Sequence, residues 1–100
     1  MIIEKSKSSS FAGTNLESHL KSFEPSSLIL VGFTANECID ATARDAAALG
    51  FLTQVVSDAT AMFDMQGPNG KLLKADRLHK LTMANLNAFY AKVLKTSDLI

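Results

Sequence analysis

A continuous apolar run, Leu28-Ile29-Leu30-Val31, constrains the fold of this chain more than any other feature. A strand in which every residue is apolar is typical of a parallel sheet that is buried on both faces. An alanine-rich stretch from Asn36 to Leu49 follows and predicts a helix, and Phe51 to Val56 predicts the next strand. This strand, helix, strand order predicts an α/β fold with a parallel sheet.

A shorter helix is predicted ahead of the first strand, from Asn15 to Phe23, where Pro25 stops it. The segment that precedes it fits a capping box. In that motif the Thr14 hydroxyl and the Glu17 carboxylate would each accept a free N–H group of the first turn.

The last third of the chain predicts a long helix and an edge strand. The helix begins at about Lys74 or Asp76 and ends at Ala91, and the strand covers Lys92 to Thr96. Lysines in that strand discourage pairing with other chains. The apolar side of the helix comprises Leu78, Leu81, Met83, Leu86, Phe89 and Tyr90.

Three segments have weaker patterns. Ile2 to Glu4 is predicted to be the stub of a strand that ends at Lys5, and the serine-rich Ser6 to Ser10 is predicted to be a loop. Met62 to Gly70 is an apolar loop, rich in methionine at its start. Such a loop either lines a substrate pocket or forms a subunit contact.

Cys38 is the only cysteine, and it lies in the first turn of the predicted alanine-rich helix. Unpaired backbone N–H groups and the positive end of the helix dipole favour a thiolate at that place, and the thiolate is the nucleophilic form. The alternative is a small buried hydrophobic residue, which is the commoner role of a lone intracellular cysteine. Position alone leaves both interpretations open.

The composition argues against two classes of partner. Hydrophobic residues make up 47% of the chain and charged residues 20%, with a formal net charge of zero. No basic cluster is present, so nucleic acid is not an expected partner. No apolar stretch approaches the roughly 20 residues of a membrane span, and no signal-peptide core is visible. A single cysteine forms no internal disulfide, which predicts a cytoplasmic location.

Several segments occur in an order that characterises one family. They are Lys5 to Leu16, Gly32 to Cys38, Ala41 to Ala46, and Ser57 to Ala59, followed at family spacing by His79, Met83 and Leu86. Together they resemble the isochorismatase-like cysteine hydrolases, which include nicotinamidases, N-carbamoylsarcosine amidases and isochorismatases. The resemblance implies a Rossmann-like, three-layer α/β/α fold with a parallel sheet.

The resemblance also implies a site. Carried over by motif, Cys38 is the nucleophile and Lys5 is the lysine that accompanies it. The backbone N–H groups of Thr34 and Cys38 would form the oxyanion hole, with a cis peptide bond at Phe33–Thr34. A third member of the family site, an aspartate, would take the thiol proton.

This chain departs from the family pattern at its start. The family aspartate precedes the lysine, and Lys5 lies so early that no residue here can occupy that position. The metal-binding residues of the family precede the lysine too, so we expect no metal and no cofactor. Residues 1–100 are therefore interpreted as one partial domain, the C-terminal portion of a hydrolase whose N-terminal strands are missing. We expect it to be inactive alone, and to form a homo-oligomer or to need a complementing N-terminal segment.

The implied activity is hydrolysis of a small amide or N-carbamoyl C–N bond through an acyl-enzyme on Cys38. Two alternatives stay open. One is a truncated, non-catalytic family member that acts by association. The other is cleavage of a vinyl ether, the isochorismatase reaction, which is disfavoured because isochorismatases proper commonly lack this cysteine.

Other polar residues are given structural roles. Asp58, which follows the second predicted strand, is interpreted as a turn or capping residue and not as a substitute for the aspartate. Arg44 and Asp45 are interpreted as surface or ion-pair residues of the helix. His79 is placed in a structural role or at the pocket margin, and His19 at the surface.

Overall fold

A central parallel sheet with flanking helices organises the computed structural model, which describes residues 1–100. In chain order the elements are α1 (Leu16–Phe23), β1 (Leu28–Phe33), a π-helical turn (Ala35–Ile39), α2 (Asp40–Ala48), β2 (Thr53–Ala61), β3 (Met65–Gln66), β4 (Leu72–Leu73), α3 (Ala75–Phe89), β5 (Lys92–Leu94) and a final 3-10 turn (Thr96–Asp98).

The sheet confirms the predicted fold class. Its three strands are parallel and lie in the order β1-β2-β5, with the π-helical turn and α2 connecting β1 to β2 and α3 leading into β5. The antiparallel pair β3 and β4 forms a separate small hairpin. β1 is hydrogen-bonded on one side only, so its other edge is free. None of the helices combines the length and the apolar character that crossing a bilayer requires.

One hydrophobic core lies between the sheet and the helices. It joins the Cys38-bearing segment to β2 and α3, because α2 and α3 contact each other and both pack on the same face of the sheet. The buried members of the core cluster are Ala35, Ile39, Ala43, Val55, Met83 and Leu86. Alanine at two of these positions lets the helix approach the sheet closely, which the alanine-rich sequence had indicated.

The prediction that β1 is buried on both faces is wrong for this chain. Leu28 is buried, but Ile29 is 49% exposed and Val31 is 57% exposed. Successive side chains of a strand point to opposite faces, and α2 and α3 both pack on the face that carries Leu30 and Val55. We call the face with Ile29 and Val31 the open sheet face.

The second strand is longer than predicted. β2 extends to Ala61 because its pairing with β1 is interrupted and then resumes: Leu30 pairs with Val55, whereas Gly32 pairs with Thr60. Gly32 has φ +118°, a conformation that strongly favours glycine, so β1 bends at this residue as it approaches Cys38.

Two further expectations, both near the start of the chain, need correction. Residues 1–5 form no strand, so the predicted stub from Ile2 to Glu4 is absent. The capping box is absent as well: the Thr14 hydroxyl accepts the Leu16 N–H at 3.3 Å, but the Glu17 carboxylate pairs with Lys21. The Glu17 carboxylate forms an ion pair with the lysine one helical turn away and does not accept a backbone N–H group.

The predicted apolar loop from Met62 to Gly70 contains the strand β3, which is paired with β4. On α3 the predicted apolar side is too broad, because Leu81 and Phe89 are exposed while Met83 and Leu86 are buried. The sheet covers only a narrow stripe of that helix.

Candidate active site

Cys38 lies in the π-helical turn that connects the end of β1 to α2. The turn is held by N–H groups that donate to carbonyls five residues back: Ile39 to Thr34 at 3.1 Å, and Asp40 to Ala35. Ala35 and Ile39 are buried in the core, whereas Cys38 is half-buried with a free thiol. Single π-helical turns of this kind are frequent at functional sites.

The structure brings Lys5 to Cys38 across 33 residues of sequence. The Lys5 Nζ lies 3.5 Å from the Cys38 Sγ, 2.7 Å from the Lys7 carbonyl oxygen and 3.2 Å from the Ser8 carbonyl oxygen. An ammonium group has three N–H donors, and these three acceptors match that number. The side chain is thus fixed although the backbone around it is irregular.

Thr34 stands between the strand and the turn. The Phe33–Thr34 peptide bond is cis, at the position named from the sequence. The Thr34 carbonyl accepts N–H groups from Glu37 and Ile39, but its own N–H donates to no backbone or side-chain acceptor of the chain. A free backbone donor at the start of the turn that bears Cys38 is the type of group that binds an oxyanion.

Two carboxylates of the chain, those of Asp58 and Glu37, are hydrogen-bonded to groups other than the thiol. The Asp58 Oδ1 accepts the Thr96 N–H at 2.8 Å and the Thr96 hydroxyl at 2.9 Å. These two donors hold the pKa of Asp58 below its usual range. The Glu37 Oε1 accepts the Ser8 hydroxyl at 3.1 Å. No carboxylate is hydrogen-bonded to the Cys38 thiol, and the structural role that the sequence suggested for Asp58 agrees with its contacts.

His79 borders a separate open cavity of about 320 Å³ at the end of β2. The Thr60 hydroxyl donates to the Ser57 carbonyl at 3.0 Å, so it accepts from the His79 Nε2, which lies 2.9 Å away. That bond ties α3 to β2. His19 contacts Phe23 ring edge to face on α1, and neither histidine is hydrogen-bonded to Cys38.

Arg44 joins α2 to the end of α3. Its guanidinium donates to Asp40 at 2.9 Å and to the Tyr90 hydroxyl at 3.1 Å, and it stacks over the Tyr90 ring. The hydrogen bond to Asp40 and the attraction of its charge raise the pKa of Arg44. The structure therefore confirms the ion-pair role that was predicted for Arg44.

Two sets of contacts around the thiol were not foreseen. Ser8 and Ser10 bind Glu37 and Thr42, which lie on either side of Cys38 in the sequence. The Asn36 side-chain amide lies 3.5 Å from the Met65 sulfur, which places the hairpin of β3 and β4 against the π-helical turn. The serine-rich composition was the available signal for the first set, since serine side chains readily bond nearby polar groups.

Residues 1–98 match the family model for the Isochorismatase domain. The chain belongs to the isochorismatase family. YrdC, an isochorismatase family protein of Bacillus subtilis (strain 168), is 40% identical over 100 residues, which are 100% of this chain and 54% of YrdC. N-carbamoylsarcosine amidase of Arthrobacter sp is 47% identical over 51 residues, which are 51% of this chain and 19% of that enzyme.

A solved structure of the isochorismatase family shares the whole architecture described above. The crystal structure of an isochorismatase from Pseudomonas putida KT2440 matches with a TM-score of 0.95 at 30% identity, and the match covers 100% of this chain and 51% of that one. The resemblance deduced from the sequence is confirmed, and so is its α/β fold. The chain spans about half the length of YrdC and of the Pseudomonas protein.

Proposed function

We propose that this isochorismatase-family hydrolase cleaves a small amide or N-carbamoyl C–N bond, with Cys38 as the nucleophile. The observation that carries the proposal is the 3.5 Å contact between the Lys5 ammonium and the Cys38 sulfur. A relative that is named as an amidase, N-carbamoylsarcosine amidase, is 47% identical over half of this chain, and this similarity supports the proposal.

In the proposed reaction the Cys38 Sγ attacks the carbonyl carbon of the substrate while a base takes the thiol proton. The C–N bond then breaks, and the nitrogen leaves with that proton. Water attacks the resulting thioester, releases the acid and restores the thiol. Lys5 stabilises the sulfur anion and the charge that develops on the substrate, while the N–H groups of Thr34 and Cys38 hold the oxyanion.

We place the base outside residues 1–100. Asp58 and Glu37 are already held by Thr96 and Ser8, so neither is available beside the sulfur. Loss of a general base lowers a rate by about 10² to 10⁴. The proposal therefore includes a complementing segment that carries the base, and near-inactivity of residues 1–100 alone.

A second candidate function is association without catalysis. It is favoured by the free edge of β1 and the open sheet face, both of which offer a surface to another segment. Under this alternative the complementing segment would bind, and Cys38 would have no chemical role.

The test combines this chain with the half of YrdC that has no counterpart here, followed by a panel of small amides and N-carbamoyl compounds. We expect turnover only in the mixture, and none with Cys38→Ser. Lys5→Met should reduce turnover while Lys92→Met, a lysine at the opposite end of the sheet from Cys38, should not. Binding of the added half without turnover of any compound would favour association and refute the hydrolase assignment.

A further inference from the structure

The serine-rich segment Ser6–Ser10 lies along the helix that carries Cys38, and we call it the strap. It touches the helix on both sides of the thiol. The Ser8 hydroxyl donates to Glu37 at 3.1 Å, and the Ser10 N–H donates to the Thr42 hydroxyl at 3.0 Å. Thr42 in turn donates to the Ser10 hydroxyl at 3.2 Å.

The strap also provides most of the hydrogen-bond acceptors for the Lys5 ammonium group. Two of the three acceptors of the Lys5 ammonium are backbone carbonyls of the strap, at Lys7 and Ser8. The third acceptor is the Cys38 sulfur. Because the three donors of an ammonium diverge from one nitrogen, the positions of the two carbonyls determine where the third N–H points.

We propose that the strap sets the distance between the Lys5 ammonium and the Cys38 sulfur, and that Glu37 and Thr42 are the positioning residues that hold the strap. Neither residue contacts the sulfur by a hydrogen bond, so each acts through Lys5. The inference deepens the proposed function and rests on it, because the distance matters only if Lys5 serves Cys38.

The burial of the contacts supports this arrangement. Thr42 is 6% exposed and Ser9 is 7% exposed, so the second half of the strap is packed against the helix. A buried hydroxyl that lost its partners would leave polar groups unsatisfied, which proteins avoid. The Ser8 to Glu37 contact is exposed and holds the first half, next to Lys5. The strap is thus held by largely buried contacts at one end and by an exposed contact near the lysine.

The ratio of Cys38 alkylation rates by iodoacetate and by iodoacetamide measures the ammonium position without any substrate. A unit positive charge about 4 Å from the reagent carboxylate favours the anionic reagent by about fivefold in water. Doubling that separation halves the Coulomb energy and leaves about twofold. Lys5→Met should therefore lower the ratio by about fivefold, while Lys92→Met, with the same change in net charge at the opposite end of the sheet, should leave it almost unchanged.

The positioning residues are tested with pairs of variants matched in charge. Glu37→Ala and Glu37→Gln are both neutral, but only glutamine keeps an oxygen for the Ser8 hydroxyl. Thr42→Val and Thr42→Ser are both neutral, but only serine keeps the hydroxyl. We expect the ratio to be about twofold lower in Glu37→Ala than in Glu37→Gln, and likewise in Thr42→Val than in Thr42→Ser.

Each outcome decides one point. Equal ratios within both pairs, together with a low ratio in Lys5→Met, would overturn the strap inference and leave the role of Lys5 intact. An unchanged ratio in Lys5→Met would overturn the role of Lys5 itself. The expected pattern, together with no turnover of any amide in the mixture with the complementing half, would refute the hydrolase assignment but not the positioning. If Thr42→Val does not fold, as circular dichroism would report, the exposed Glu37 pair decides the inference alone.

Discussion

Leu86→Ala tests whether the core under the thiol is the main support of this small structure. Leu86 is fully buried and packs in the cluster that contains Ala35 and Ile39, the two buried residues of the π-helical turn. Truncation of a buried leucine to alanine costs about 2 to 5 kcal/mol. We therefore expect a loss of about 3 kcal/mol.

The expected loss for Leu86→Ala is large relative to the free energy of unfolding of the whole chain. Only 12 of the 100 residues are buried, so the free energy of unfolding should lie near the low end of the usual range, about 5 kcal/mol. For a domain of this size each 1 kcal/mol shifts the melting temperature by about 4 to 8 °C, which predicts a decrease of at least about 12 °C. Urea unfolding followed by circular dichroism measures the free energy of unfolding, and thermal unfolding followed by the same signal measures the melting temperature.

The matched control is Leu81→Ala, on the same helix but 58% exposed. It removes the same atoms from a surface position and should change the free energy of unfolding by less than about 0.5 kcal/mol. If Leu86→Ala cost less than about 1 kcal/mol, or no more than its control, the cluster around the π-helical turn would not be the structural core, and our account of what fixes Cys38 would be wrong.

Three other perturbations follow from the structure. Iodoacetamide should label Cys38 faster in the folded chain than in the same chain in urea, and equal rates would argue against a nucleophile. Asp58→Asn should be less stable than the native chain at pH 7. Because the pKa of Asp58 is lowered on folding, this difference in stability should shrink as pH falls below about 4. A difference in stability that persists in acid would contradict this. Val31→Lys should weaken self-association in light scattering, whereas Leu72→Lys, at a similarly exposed position of the hairpin, should not.

The main elements could be predicted because their signals are local. The apolar run at Leu28, the alanine-rich stretch and the long periodic pattern that ends near Phe89 each reflect burial within one element. The path of the backbone at Cys38 could not be predicted, since a single π-helical turn leaves no periodicity in five residues. No feature of the local sequence indicated that β2 extends past Asp58, because the extension depends on a shift in its pairing with β1.

The site shows the same division. Cys38 was singled out from its place between a strand and a helix, but its contact with Lys5 spans 33 positions of the sequence and was expected from the family resemblance alone. Glu37 and Thr42 were not singled out because their importance depends on the path of the strap. The exposure of Ile29 and Val31 could not be predicted either, since an apolar sequence indicates that a face is suited to burial and not what covers it.

The free edge of β1 and the proposed complementing segment have a geometric connection. Parallel strands end at the same side of a sheet, and neighbours lie about 4.8 Å apart. β1 ends at Phe33, directly before Thr34 and the turn that bears Cys38. A parallel strand added at the free edge would therefore end beside the thiol, so one segment would both cover the edge and bring its terminal side chains to the sulfur. On this reasoning binding and turnover should appear together as the complementing half is titrated. Val31→Lys changes a residue of β1 that lies outside the site. It should weaken binding and turnover in parallel while leaving the alkylation ratio of the free chain unchanged.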